Sequence, residues 1–135
     1  MAKGLDLSGY YEKLEKAIDQ SFSEYLQLTQ GDLFAAAPVD TGRLASSFYI
    51  SKDTPDLTAR SEDWTGLQMK EYPGKITADG KWYIANGVKY SHRVATDPIY
   101  GKGGRVGGAA WYTNITTQLK QTHDKRLKIN LRKIK

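Results

Sequence analysis

The chain predicts an α+β fold: a long N-terminal helix, an antiparallel sheet of about four short strands, and a C-terminal helix with a basic tail. Three observations predict it. Apolar side chains recur every three to four positions across residues 8–37. β-favouring runs separated by Gly and Pro fill the middle, and a second helical period opens at Ala109. With 135 residues the chain fits a single domain, 1–135, whose ends at 1–7 and about 127–135 are expected to be flexible or ordered by a partner.

The first helix is read from Tyr11, Leu14, Ile18, Phe22, Tyr25, Leu28 and Leu33, which build one stripe. Glu12, Lys13, Glu15, Lys16, Asp19, Gln20 and Glu24 form the solvent face. Ser8 suits an N-cap, and Gly31 is a place where the helix can bend or break. Some thirty residues would span roughly 45 Å.

Pro38 then disfavours helical geometry at Ala37 and stops the helix. Asp40 and Thr41 can bond local backbone, and Gly42 supplies whatever angle the turn requires. Arg43 and Leu44 open an alternating run through Phe48, Tyr49 and Ile50. The segment Pro38, Val39, Asp40, Thr41, Gly42, Arg43, Leu44 is therefore a helix-to-strand corner.

Residues 44–51 read as the first strand and residues 64–72 as a second without a clean face. Ile76, between the turn signals Pro73-Gly74 and Asp79-Gly80, marks a very short third. Residues 81–85 form another strand, followed by Asn86-Gly87. Two continuations are open there: a hairpin onto residues 88–90, or a short helix over 90–94. Residues 100–108 are rich in glycine and carry little packing material, so this loop is expected to order only on assembly. The last helix places Trp111, Tyr112, Ile115 and Leu119 on one face and is expected to run to about Arg126. Leu127, Ile129 and Leu131 then alternate, which suits a strand better.

The net charge of +5 conceals an asymmetry. Residues 1–80 carry eight Lys and Arg against thirteen Asp and Glu, whereas residues 81–135 carry twelve against only Asp97 and Asp124. Opposite potentials on two faces favour either contact with nucleic acid or docking of one copy's acidic face on the next copy's basic face. The second arrangement is heterologous and generates a ring when the rotation closes. Lys120, Lys125, Arg126, Lys128, Arg132 and Lys133 are the residues expected to face DNA or an acidic partner. Asp19, Glu24, Glu62 and Asp63 are such acids on a neighbouring copy. DNA contact would be nonspecific, since no base-reading motif is present.

Catalysis finds little support. His92 and His123 are far apart in sequence, there is no cysteine, and the acids lack metal-loop spacing. Residues 101–108 lack the pattern of a phosphate-binding loop. No catalytic, cofactor or metal residues are assigned, and no enzyme activity is expected. No apolar run approaches the ~18 residues of a membrane span, and the start lacks the apolar core of a signal peptide. The aromatic content, nine Tyr, three Phe and three Trp, exceeds what a small core needs. Trp64, Tyr72, Tyr90 and Tyr100, with Lys102 and Arg105, are therefore assigned to interfaces with other copies or partners.

The order PVDTGRL-x-S-S over residues 38–47 resembles a signature of the head–tail joining, or tail-completion (neck), proteins of tailed bacteriophages, the group that includes minor tail protein Z. Asn86-Gly87-Val88-Lys89-Tyr90-Ser91 is similar to that family's Asn-x-x-x-Tyr-Ala element, and the glycine-rich run into Trp111 resembles its approach to the last helix. The chain departs after Tyr90, where relatives carry an acid and a glycine and this one has Ala95 and Asp97 nearby. The resemblance implies a non-catalytic virion protein, assembled in the host cytoplasm and located at the neck. It implies a ring of copies, sixfold, between the connector or head-closure protein and the tail terminator or tail tube. A small basic nucleic-acid-binding module is the alternative.

Overall fold

The computed structural model describes residues 7–134. It is a mixed helix and sheet structure, with helix α1 (Ser8–Ala36), strands β1 (Phe48–Lys52) and β2 (Trp82–Asn86), and helices α2 (Ser91–Thr96), α3 (Pro98–Gly101), α4 (Trp111–Thr116) and α5 (Leu119–Leu131). The expectation for the extreme N-terminus falls on residues 1–6, outside the described part.

Helix α1 runs unbroken through Gly31, where an added Cβ would meet nothing within 4 Å. Ser8 is its first residue rather than its cap, and Leu7 holds the cap position without a side-chain bond. The buried face differs from the expected stripe. Ala17, Ser21, Leu26, Thr29, Gln30, Leu33 and Ala36 face inward, while Tyr11, Ile18 and Leu28 are exposed. Small and polar residues win these positions because α5 packs closely along α1 and because Gln30 supplies bonds to the sheet layer.

The sheet has two strands, not four. β1 and β2 are antiparallel, with Phe48 opposite Asn86, Ile50 opposite Ile84 and Lys52 opposite Trp82. The run expected as the second strand, residues 64–72, bends at Gly66 and lies beside β1 without a ladder. Its backbone is engaged by side chains instead. Ser46 Oγ donates to Gly66 O (3.3 Å) and accepts from Gln68 N (3.0 Å), Arg60 donates to Gln68 O (3.1 Å), and Gln30 Nε2 bridges Phe48 O and Lys70 O (both 2.8 Å). Ile76 also forms no strand; it is buried with Leu26 and Ile50 in the smaller of two cores. The larger core gathers Leu33, Ala37, Leu44, Phe48, Val88 and Trp111. Residues 45–47, expected in the first strand, form a single 3-10 turn before it.

After Asn86 the chain takes the short-helix alternative as α2. The last helix is divided: Thr117 and Gln118 separate α4 from α5, and the Thr116 and Thr117 hydroxyls bond back to Thr113 O. Such back-bonding bends helices. α5 then continues to Leu131, so the expected strand-like ending and free tail are replaced by a helix packed on α1. No helix among the described residues is long and apolar enough to cross a membrane.

Candidate functional site

The corner at residues 37–47 organises the molecule. Ala37 ends α1 in extended geometry (φ −59°, ψ 146°), as the following proline demands, with its N–H on Leu33 O at 3.0 Å. Gly42 adopts φ +91°, a region open to glycine but costly to other residues. Its carbonyl accepts from Ser46 N, and Thr41 O receives Gly66 N at 2.8 Å. Arg43 Nε donates to Arg60 O at 2.8 Å. Ser47 Oγ accepts from Arg60 N (3.1 Å) while donating to Arg43 O (2.6 Å). The buried hydroxyls of Ser46 and Ser47 thus hold the segment from Arg60 to Gln68 against the corner.

Two other stretches converge on the same place. Asn86 Nδ2 donates to Leu44 O at 2.8 Å, and its Oδ1 accepts from Val88 N at 3.1 Å. Arg105, from the glycine-rich loop, sends its backbone N–H to Ala36 O (2.7 Å) and its Nε to Ala37 O (3.0 Å), with a further guanidinium bond to Phe34 O. Those carbonyls are orphans of the α1 C-terminus, which a cation near the end of a helix satisfies. The loop expected to lack anchors is therefore tied to α1, and Arg105 is occupied within the subunit.

The aromatic interface assignments divide. Trp64 is half-buried, its Nε1 on Gly66 O (3.1 Å) and its ring under the Arg60 guanidinium (4.4 Å). Tyr72 packs edge-on against Trp82 at 5.2 Å beside the smaller core. Both are engaged inside the subunit. Tyr90 and Tyr100 are exposed and line a cleft of about 180 Å³ with Pro38, Asp40 and Arg43. Val39, Ile99 and Val106 are exposed nearby in sequence, Ile99 at 73%. Arg93 stacks over the Tyr100 ring at 4.3 Å. Lys102 is exposed.

The basic residues divide likewise. Lys120, Lys125, Lys128, Arg132 and Lys133 are exposed on or just after α5. Arg126 turns inward and pairs with Glu24 at 2.7 Å. Asn130, 2% exposed, donates to Ser21 Oγ (3.0 Å) and Glu24 Oε1 (2.8 Å). Burial works to raise the Glu24 carboxyl, but the bonds from Asn130 and Arg126 and the charges of Arg126 and Lys133 outweigh it and hold the group below the ordinary range. Glu24, expected to meet a neighbouring copy, meets its own α5. Asp19 likewise accepts from Ala78 N at 2.8 Å.

A larger opening of about 450 Å³ lies between α1, β2, α2 and α4, with Trp82, Ile84, His92 and Trp111 among its walls. Its histidine has no acid or nucleophile as a hydrogen-bond partner there, and no group of three His, Asp or Glu that could hold a metal ion occurs among the described residues. Sequence reasoning missed Asn130, Ser21 and Gln30, because buried polar residues leave no trace in a hydrophobic pattern.

No protein-family model, curated protein or solved structure matches the chain.

Proposed function

We propose that this chain is a structural head–tail joining protein of a tailed bacteriophage, one copy in a ring between the connector and the tail. One observation carries the reading. The three stretches that resemble the family, distant in sequence, meet at one corner through Asn86–Leu44, Arg105–Ala37 and the core that Trp111 shares with Ala37 and Leu44. Five signature residues have a job there: Thr41, Gly42 and Ser46 receive the Gly66 segment, and Arg43 and Ser47 receive Arg60. Exposed Tyr90 and Tyr100 beside the corner cleft are suited to a protein partner.

The test is completion in vitro. Purified protein is added to an extract of the encoding phage from which this gene is deleted, and infectious particles are counted. Restored titre, with ring-shaped density at the neck by electron microscopy, is the expected result. Unjoined heads and tails at normal titre of both, unchanged by the protein, would refute it.

The nucleic-acid reading keeps one observation of its own, the exposed row Lys125, Lys128 and Arg132 around the outer groove of α5. Micromolar binding of a random duplex, falling steeply with salt, would favour it.

A further inference from the structure

β2 leaves one edge of the sheet open, and the outer edge of the segment that lies beside β1 matches it. Asp53 N bonds Lys81 O at 2.8 Å, which makes residues 51 and 83, and 49 and 85, the hydrogen-bonded pairs. The backbone groups of Trp82, Ile84 and Asn86 therefore point away from β1. Among the described residues, the N–H and C=O of Trp82 and Ile84 and the N–H of Asn86 take no hydrogen bond.

On the opposite side, residues 67–71 follow a bend at Gly66 (φ +104°) and turn the backbone of Gln68 and Lys70 toward the β1 side, where side chains engage it. The alternate residues Leu67, Met69 and Glu71 present theirs outward, and those too are without hydrogen bonds. Ser46 lies against Gly66 and Gln68, and Gln30 joins Phe48 to Lys70, so the segment runs parallel to β1 and antiparallel to β2.

We propose that residues 67–71 of one copy add to the β2 edge of the next copy as an antiparallel strand, carrying one sheet around the ring. The proposal rests on the ring reading and names the contact that closes it. Free strand edges are templates for such addition, and a sheet of two strands is marginal alone. The contact joins two different edges of the same subunit, so it is heterologous, as a ring requires.

Charge supports this occupant. Antiparallel pairing sets Glu71 beside Lys81 at one end. Both are exposed, and neither forms an ion pair among the described residues. The run expected from its sequence to be a strand thereby becomes one between copies.

The chain contains no cysteine, so engineered thiols report without background. Non-hydrogen-bonded neighbours across the junction are Gln68 on one side and Tyr83 or Ala85 on the other, at a spacing that suits a disulfide. Gln68→Cys protein is mixed with Tyr83→Cys protein, or with Ala85→Cys protein, at high concentration under mild oxidation. Particle size is followed by electron microscopy. The expected result is a mixed disulfide dimer in one of the two mixtures, at least ten times more abundant than the disulfide dimer of any single variant alone. Rings that form without a mixed disulfide in either register overturn the edge pairing and leave the ring reading standing. Dimers from Gln68→Cys alone overturn it in favour of a twofold contact. Monomers throughout, without cross-link, overturn both.

Discussion

Gly42 and Gly66 meet backbone to backbone: a Cβ on Gly42 would stand 1.8 Å from the Gly66 carbonyl oxygen and 2.6 Å from its carbon. No side-chain rotation relieves such a contact, and Gly42 also needs φ +91°. Both faults fall on one atom, so Gly42→Ala is expected to cost more than about 2 kcal/mol. Arg43→Lys keeps a donor near Arg60 O and is expected to cost about 1 kcal/mol or less. Urea unfolding of the two variants checks the order. Equal midpoints would mean that the corner can relax away from Gly66.

Asn86 supports the corner from the strand side with one donor and one acceptor. Asn86→Ala loses both bonds and should cost about 1–3 kcal/mol. Asn86→Asp keeps the acceptor for Val88 N but turns a second oxygen on Leu44 O. The aspartate variant should therefore melt below the alanine one at neutral pH and recover relative to it in acid, where a protonated carboxyl can donate. Thermal melts at pH 7 and pH 4 measure the crossing.

The helices and the corner are legible in the sequence because they rest on periodicity and on residues with narrow backbone preferences. Pro38, two residues past the last helical position, ends α1, and Gly42 takes the positive φ that its place in the turn allows. What stays hidden is carried by side-chain-to-backbone bonds. Gln30, Ser46 and Arg60 take over the backbone of residues 66–70, so β-favouring alternation there does not become a ladder. Asn130 occupies the buried position of α5 that an apolar residue would have announced, which leaves Leu127, Ile129 and Leu131 to mimic a strand. The site residues follow the same rule: Tyr90 and Tyr100 stay exposed beside the corner, whereas Arg105 and Arg126 are drawn onto α1 by carbonyls and a carboxylate that spacing alone does not reveal.

Arg105 caps a helix from a loop with little else to hold it. Arg105→Ala should free the carbonyls of Phe34 and Ala37 from the guanidinium, keeping only the backbone bond to Ala36 O. The stability loss should be about 1 kcal/mol, as for other cations at a helix C-terminus. Amide exchange should rise at residues 102–108 and in the last turn of α1, with α5 unchanged. Exchange that is uniform between the variant and the parent would show the loop to be held by something else.

Glu24 links α1 to α5 and makes their packing sensitive to acid. Its folded carboxyl is held below the ordinary range, so its contribution is present above the unfolded value, about 4.3, and is lost as pH falls through the lower folded value. Glu24→Gln should cost about 1–3 kcal/mol at pH 7, since a charge-assisted bond to Arg126 is lost. Parent and variant stabilities should converge as pH drops below about 4. A gap that persists unchanged at pH 3 would show that the carboxylate's charge is not what joins the helices.

The outer face of α5 separates assembly from folding. Lys125, Lys128 and Arg132 are exposed around one shallow groove and make no ion pair among the described residues. Changing all three to Glu moves the net charge from +5 to −1, each swap subtracting two. Lys133 stays, because its charge helps hold Glu24 ionised. Exposed substitutions of this kind shift stability by ~0.5 kcal/mol each at most, so the melting curve should barely move. Like charges brought together at a contact cost several kcal/mol, so a partner surface or DNA phosphate facing α5 would be repelled. The triple variant should melt like the parent and fail to complete particles in the joining assay. A random-duplex titration then assigns the loss. If the parent binds DNA with a steep salt slope and the variant does not, α5 faces nucleic acid; if neither binds, it faces protein. Unimpaired joining would show that this face carries only solvated charge.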